Sequence, residues 1–487
     1  MANPVNGVII GNATDGNDAN SGTSFSDWLM GLAGNDTLNG FGGNDLLEGH
    51  LGNDRLYGGT NDDTLIAGPG ADYLDGSSGN DWLVPGLGPD TLIGGTDYDT
   101  LDYSNTKMGV HLDFSNGASY WAVLTSVDPV AIGDRVSMQF ETVVGGSGDD
   151  TIIGGDAGNI MWGGPGDDQL ISGIYATEMD GGPGADTLDG SRSDYNRVSF
   201  RSADSDVFVR LWNGYIATAD PDHAFDVLMD IEGVIMGDGN DTVEGTPGIN
   251  DLLGGAGDDL MYGFAGDDAL EGGEGNDRIL AGLGNDVVKG EAGHDHLEGW
   301  EGHDILDGGF GNDVIAGQAG NDVLLGGMGN DTMSDGPGQD TLYAEGGHDV
   351  VYSGAGDDSL SGGSHFDVLA GQEGNDTLNG GTGHDFLRGG DGADTFEFIG
   401  AFGQDVIDDF GVGGADVARI SGAPAGYADF TDFDVTGDGV IDAADAALSA
   451  QVDIDAGALV LAFDAAAANA IAFWGVTMLD AGDLVFV

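Results

Sequence analysis

Aspartate returns every ninth residue over long stretches of this chain, each time two residues before an apolar one. From Gly254 the sequence divides into sixteen consecutive nine-residue units ending at Glu397, without insertion or deletion. Position six is Asp in all sixteen: Asp259, Asp268, Asp277, Asp286, Asp295, Asp304, Asp313, Asp322, Asp331, Asp340, Asp349, Asp358, Asp367, Asp376, Asp385 and Asp394. Position eight is apolar throughout, from Met261 and Leu270 to Leu387 and Phe396, and position four is Gly except at His365. A second array of nine units, Gly22 to Asp102, carries Asp27, Asp36, Asp45, Asp54, Asp63, Asp72, Asp81, Asp90 and Asp99 in the same slot, with Leu at every position eight. A weaker unit before it supplies Asp18. A third array over 145–189 supplies Asp150, Asp168 and Asp186, with Asn159 and Thr177 in its other two slots. Asp241 opens the stretch leading into the long array. From there Asp241 to Asp251 spans ten residues and Asp251 to Asp259 eight, which predicts a bulge and a weakened site around 245–253.

Such a unit has definite physical requirements. One apolar residue per nine, flanked by variable ones, fits a three-residue strand whose central side chain points inward. The other six residues must turn sharply, and glycines at positions one, two and four permit positive φ and close approach of carbonyls. A carboxylate after such a turn, with carbonyl oxygens converging on it, makes a hard-oxygen cage suited to Ca²⁺. Two units then form one 18-residue coil. Stacking places Asp259, Asp277 and Asp295 along one edge and Asp268, Asp286 and Asp304 along the other, with ions between successive turns. The alternative, Asp as a turn former without metal, fails on electrostatics. Bare carboxylates about 4.8 Å apart would repel along the whole stack, and one small inward side chain per strand cannot offset that.

Composition agrees. The 487 residues include 94 Gly, without the three-residue period of collagen. Eleven Lys and Arg face 86 Asp and Glu, a formal charge of -75. That excludes a nucleic-acid partner, which needs clustered basic residues, and makes acidic membrane surfaces unattractive. Disorder is excluded by a 40% hydrophobic content held in strict register. With no Cys there is neither a disulfide framework nor a thiolate metal site. The start, "MANPVNGVIIGNATDG", lacks the basic and apolar regions of a signal peptide, and no run of about 18 uncharged apolar residues suggests a transmembrane segment.

These units resemble the RTX (repeats-in-toxin) calcium-binding nonapeptide G-G-x-G-x-D-x-U-x. The resemblance implies an all-β fold: a parallel β-roll (β-solenoid) with Ca²⁺ in both edge rows. It also implies export by type I secretion machinery as an unfolded chain that folds on external Ca²⁺, metal binding then being folding free energy. Roughly 20–30 ions would neutralise most of the charge. Two strand-rich interruptions resemble each other, "GVHLDFSNG" (109–117) with "DVFVRLWNG" (206–214) and "FETVVGGSGDDTII" (140–153) with "IEGVIMGDGNDTVE" (231–244). The expected organisation is an N-terminal array (1–102), excursion 1 (103–144), a short array (145–194), excursion 2 (195–235), the long array (236–397) and a C-terminal cap and secretion domain (398–487). Each excursion reads as a hairpin against the roll, with Trp121, Trp212 and Tyr215 covering its flank rather than forming a ligand surface. The ending "DAGDLVFV" is similar to the family's Asp-then-apolar tail and also reads as a final strand. Within the cap, "DVTGDGVIDAAD" matches a twelve-position EF-hand-like loop, closer to a dockerin loop. Asp434, Thr436, Asp438 and Asp445 are its expected Ca²⁺ ligands.

Catalysis is not expected. No H-E-x-x-H or G-x-S-x-G is present, and repeats begin within about fifteen residues of Met1, leaving no room for a preceding catalytic domain. His294, His303, His348 and His384 occupy position five, where Asn and Asp also stand, and read as solvent-facing turn residues. Two roles remain: a calcium-stiffened structural protein of the cell surface (surface layer, matrix or adhesion), or a polysaccharide-binding or secretion module serving an enzyme.

Overall fold

The computed structural model describes residues 8–9, 14–107, 109–115, 122–123, 134–137, 140–155, 159–203, 205–218, 225–421, 440–441, 452–455, 458–462, 470–474, 476, 479–480 and 483–486. Asp434, Thr436, Asp438 and Asp445, the expected ligands of the EF-hand-like loop, lie outside the described residues, as does Trp121. The fold is all-β. Among the described residues the one helical element is a 3-10 turn, Leu211–Asn213, and no helix is long and apolar enough to cross a membrane.

The chain forms two compact units, Met1–Asp238 and Gly239–Val487. In the first, one parallel sheet runs from Val8–Ile9 through Asp27–Met30, Leu46–Glu48, Thr64–Ile66 and Trp82–Val84 to Thr100–Asp102. It continues through Thr142–Val144, Ile160–Trp162, Thr177–Asp180 and Asn196–Ser199 to Gly233–Ile235. The alternate units build the facing sheet, Ala19–Ser21, Thr37–Gly42, Arg55–Thr60, Tyr73–Ser78 and Thr91–Thr96. In the second unit the two series are Asp251–Ala256 through Thr395–Ile399 and Thr242–Glu244 through Phe386–Asp391, again all parallel. The register is 18 residues, as in Leu260↔Arg278 and Asp251↔Ala269, so two nonapeptides make one coil.

Position eight is the core. Leu29, Leu38, Leu47, Leu56, Leu65, Leu74, Leu83, Leu92 and Leu101 are all completely buried, as are Leu297, Leu306, Ile315, Leu324 and Met333 in the second unit. Each such side chain contributes about 1.5–3 kcal/mol on leaving water, and most stand in register with an apolar equivalent in the next coil, as Leu29 with Leu47 and Leu306 with Leu324. Strands are often longer than the three residues that periodicity suggests. Thr37–Gly42, Leu260–Ala265 and Val314–Ala319 run on through position three. They do so by placing position two at positive φ even for bulky residues, including Trp300 (φ 81) and Gln318 (φ 75). Packing explains the glycine that usually holds position four: a β-carbon on Gly311 would overlap the carbonyl oxygen of Gly293 in the coil before.

The excursions are woven into the stack more than laid against it. In the first, Arg135–Val136 pairs parallel with Thr91–Leu92 and is followed outward by Ala122–Val123, antiparallel. His111–Asp113 then starts a new sheet with Thr151–Ile153, Gln169–Ile171, Thr187–Asp189 and Val227–Met229. The second excursion does hold a hairpin, Val207–Arg210 against Tyr215–Thr218. On it Trp212 is half-exposed, with the Arg210 guanidinium 5.3 Å from its ring centroid and 5.0 Å from that of Phe208.

The bulge expected around 245–253 is absent. Asn250, not Asp251, holds position six: its amide donates to Asp268 Oδ1 (2.7 Å), and Asp251 pairs in register with Ala269. Counting from Asp to Asp mistook position seven for six.

Past Glu397 the coil continues off the nonapeptide period. Gln404–Ile407 and Val417–Ser421 pair parallel onto the last repeats, and Ala470–Trp474 and Leu484–Phe486 pair parallel onto those. Ala458–Ala462 and Val452–Asp455 then turn antiparallel. Aromatic side chains fill this end, Phe410 lying 5.9 Å from Phe396 and 5.0 Å from Phe473 between ring centroids. The tail strand at Leu484–Phe486 is thus a sheet strand.

Candidate metal centre

Each position-six Asp is buried between a strand and a turn, and its backbone joins it to the next coil. The amide of Asp27 donates to Asp45 Oδ1 (2.7 Å), Asp36 to Asp54, Asp45 to Asp63, and so on along both edges. The same i to i+18 bond runs from Asp259 to Asp277 and from Asp268 to Asp286, each 2.8 Å, and continues to Asp376 and Asp394 at 2.9 Å. Oδ1 is therefore committed. Oδ2 is not: from Asp36 to Asp99 and from Asp259 to Asp340 it is buried and meets no hydrogen-bond donor. A buried carboxylate oxygen without a partner is costly and needs a cation or a proton.

The surroundings supply more oxygen. A β-carbon built on Gly308 would lie 2.6 Å from Asp313 Oδ2 and 2.8 Å from the Gly326 carbonyl oxygen. On Gly31 it would lie 2.5 Å from Asp36 Oδ2 and 2.7 Å from the Gly49 carbonyl oxygen. Glycine at position one thus leaves open a pocket between adjacent coils, lined by a carboxylate of one coil and a carbonyl of the next. The donors are hard oxygens, the set Ca²⁺ takes.

Electrostatics without a cation is unfavourable. Burial, partly offset by the amide hydrogen bond, pushes Asp63, Asp90 and Asp168 up to about 8, and Asp72, Asp259, Asp295 and Asp331 up to about 7. Neighbouring ladder carboxylates add to the rise.

Most expected residues fall in this arrangement. Asp18 stands at its margin, half-buried, its Oδ2 accepting from the Thr14 amide (2.7 Å) and its own amide donating to Asp36 Oδ1. Asp150 differs: both oxygens are used, by the amides of Val110 and Gly146. Asp186 and Asp241 are in register, donating to Asp226 Oδ1 and Asp259 Oδ1. Asn159, Thr177 and Asn250 fill the slot without a charge. Asn250 Oδ1 accepts from the Thr246 amide (2.8 Å) and Thr177 Oγ1 from Gly173.

Six acids missed by the nine-residue count complete the ladders. Asp90 donates to Asp134 Oδ1, Asp99 to Glu141 Oε2 and Asn196 to Glu232 Oε2. Asp226 receives Asp186, and Asp405 and Asp416 receive Asp385 and Asp394. The four Asp residues each precede an apolar residue by two (Val136, Leu228, Ile407, Ala418), and that triplet alone could have found them. Position five forms an outer ladder on the same pitch. Asn35 Oδ1 accepts the Asn53 amide, and His294 and His303 Nδ1 accept those of Asn312 and Asn321. The histidines substitute for Asn in a turn.

A model of the RTX calcium-binding nonapeptide repeat matches residues 21–92, 140–170, 177–194 and 237–396 in overlapping copies, more than half of the chain. The chain belongs to the RTX calcium-binding repeat family. Its repeats are accordingly of a calcium-binding, structural type. No curated protein matches this RTX chain. Solved structures that do include the extracellular lipase LipA from Serratia marcescens, at 19% identity, over 55% of this chain and 45% of the lipase, with a TM-score of 0.20. The RTX chain thus spans less than half the length of that lipase, and the superposition carries no argument about activity.

Proposed function

We propose that this protein is a secreted structural calcium binder that folds on extracellular Ca²⁺ into a rigid β-roll and serves assembly at the cell surface. The carrying observation is the double row of buried Asp residues whose Oδ2 atoms meet no donor and face a carbonyl of the neighbouring coil. On this reading the position-six Asp residues are the ligands, each with the position-one carbonyl of the next coil. Asp134, Asp226, Asp405 and Asp416 extend the rows. The ion neutralises carboxylates that otherwise repel and ties successive coils together, so binding energy becomes folding energy.

Export by a type I system fits a fold that waits for millimolar external Ca²⁺. A non-catalytic role is supported by the commitment of the regular carboxylates to the ladder. Surface assembly is supported by large apolar side chains left exposed at positions two and three, among them Phe264, Trp300, Phe310 and Met328. The test raises Ca²⁺ from zero to about 10 mM on chelated protein, a range set by extracellular-module affinities, while circular dichroism and particle size are followed. β-structure and compaction should appear together, followed by large ordered assemblies. A compact monomer that does not assemble would overturn the surface-assembly role. No response to Ca²⁺ would overturn the whole reading.

A further inference from the structure

One coil departs from the pattern in a way that bears on the ion. Position one is Gly, Ala, Ser or Pro in every unit of the two long arrays except at Asp335. In the neighbouring coils the Oδ2 of a ladder Asp faces a position-one backbone carbonyl, as Asp304 faces Gly317 and Asp313 faces Gly326. Above Gly317 the facing oxygen is instead Asp335 Oδ1. A β-carbon there would lie 2.5 Å from it and 2.7 Å from Asp322 Oδ2. Carboxylate oxygens of Asp322, Asp335 and Asp340 lie within 4.8 Å of one another.

The cluster does not satisfy itself. Asp322 and Asp340 are 1% and 2% exposed, and their Oδ2 atoms, like that of Asp335, are buried without a donor. Oδ1 of Asp322 and Oδ1 of Asp340 are taken by the amides of Asp304 and Asp322, and Asp335 Oδ1 by the amide of Gly336 (2.9 Å). Asp335 Oδ1 thus faces Asp322 Oδ2, a close carboxylate pair that only a shared proton or a cation can hold together.

We propose that Asp322, Asp335 and Asp340 form a tricarboxylate Ca²⁺ site distinct from the regular sites, which holds its ion longest and keeps this part of the roll closed when the others empty. This rests on the calcium-roll reading above. The reason is charge balance. A divalent ion held by one ladder carboxylate and neutral carbonyls keeps a residual positive charge; Asp335 cancels it, and the nearby Asp340 carboxylate makes the site net negative. Ligand charge count is a principal determinant of affinity among oxygen sites. Asp335 acts at the side chain rather than the backbone, so its replacement need not disturb the coil. Glycine is the usual residue there, and Asn keeps the shape.

The experiment mixes the Ca²⁺-loaded full-length chain with excess chelator and follows ion release, for the native protein, D335G and D335N. The native chain should release one ion at least about tenfold more slowly than the rest, the scale on which ligand charge shifts oxygen-site affinity. Both variants should lose that slow phase and keep the others, with unchanged circular dichroism in Ca²⁺. A native profile without a distinct slow ion, or one that D335G and D335N both retain, overturns the proposal. A native chain that binds no Ca²⁺ instead overturns the reading beneath it.

Discussion

Replacing Asp313 by Asn should move the stability of the roll in opposite directions with and without Ca²⁺. Asp313 is 1% exposed, its Oδ1 accepts the Asp295 amide at 2.8 Å, and its Oδ2 lies beside the Gly326 carbonyl with no donor. An Asn keeps the Oδ1 acceptor and places an N–H donor where the second oxygen stood, beside that carbonyl. The metal-free fold gains a satisfied neutral group in place of a buried anion. The calcium-loaded fold loses one site. With site affinities of about 10⁻⁴ to 10⁻³ M and 10 mM Ca²⁺, mass action makes that loss about 1.4 to 2.7 kcal/mol. The assay is a Ca²⁺ titration by circular dichroism with ion counting by equilibrium dialysis. D313N should need more Ca²⁺ to fold, bind one ion fewer at saturation, and show more residual structure in chelator. An unchanged ion count with an unchanged midpoint would refute the assignment of Oδ2 as a ligand.

Further tests address pH, strain and the core. Because burial holds Asp63, Asp90 and Asp168 near 8 against an ordinary 3.8, the folded metal-free chain binds more protons than the unfolded one between about pH 4 and 8. Its stability should therefore fall as pH rises through that window, while the Ca²⁺ concentration that half-fills the sites of the folded roll, read by ion counting, should rise as pH drops below about 8, because protons compete with the ion for the same oxygens. Titrations at pH 5 and 8 check both signs, and a half-filling concentration indifferent to pH would contradict them. His365 holds a left-handed φ of 85 at the position-four slot, so His365→Gly should stabilise the loaded roll by about 1 kcal/mol, read as a higher melting temperature. Leu324→Ala, at a fully buried position eight, should cost about 2–5 kcal/mol by thermal unfolding in Ca²⁺, with the ion count preserved.

The regular coils were legible because everything they need is local. Nine residues carry the turn glycines, the carboxylate and the inward side chain, so the repeat states strand, turn and ligand together. Legibility failed where a ladder bond closes across an insertion. Asp134 answers Asp90 from 44 residues away and Glu141 answers Asp99 from 42, and no fixed period reports that. Asn250 was passed over for the opposite reason: a neutral residue held the slot while a neighbouring Asp251 offered a charge out of register. Positive φ at position two under residues as large as Trp300 was hidden as well, because the paired coil, not the residue's own preference, imposes it.

The ladder also gives the stack a direction. Within each unit a position-six amide donates to the carboxylate eighteen residues later, never earlier, as from Asp277 to Asp295 and from Asp295 to Asp313. A coil added at the C-terminal end of a growing stack supplies the acceptor its predecessor was waiting for. A coil added at the N-terminal end finds its acceptor already in place. Growth toward the N-terminus leaves one open carboxylate oxygen per edge at its front, whereas growth toward the C-terminus leaves one open amide. The two fronts of the stack therefore differ in chemistry: the N-terminal one presents carboxylate oxygens that water or a cation can satisfy, and the C-terminal one presents backbone amides that only an acceptor can.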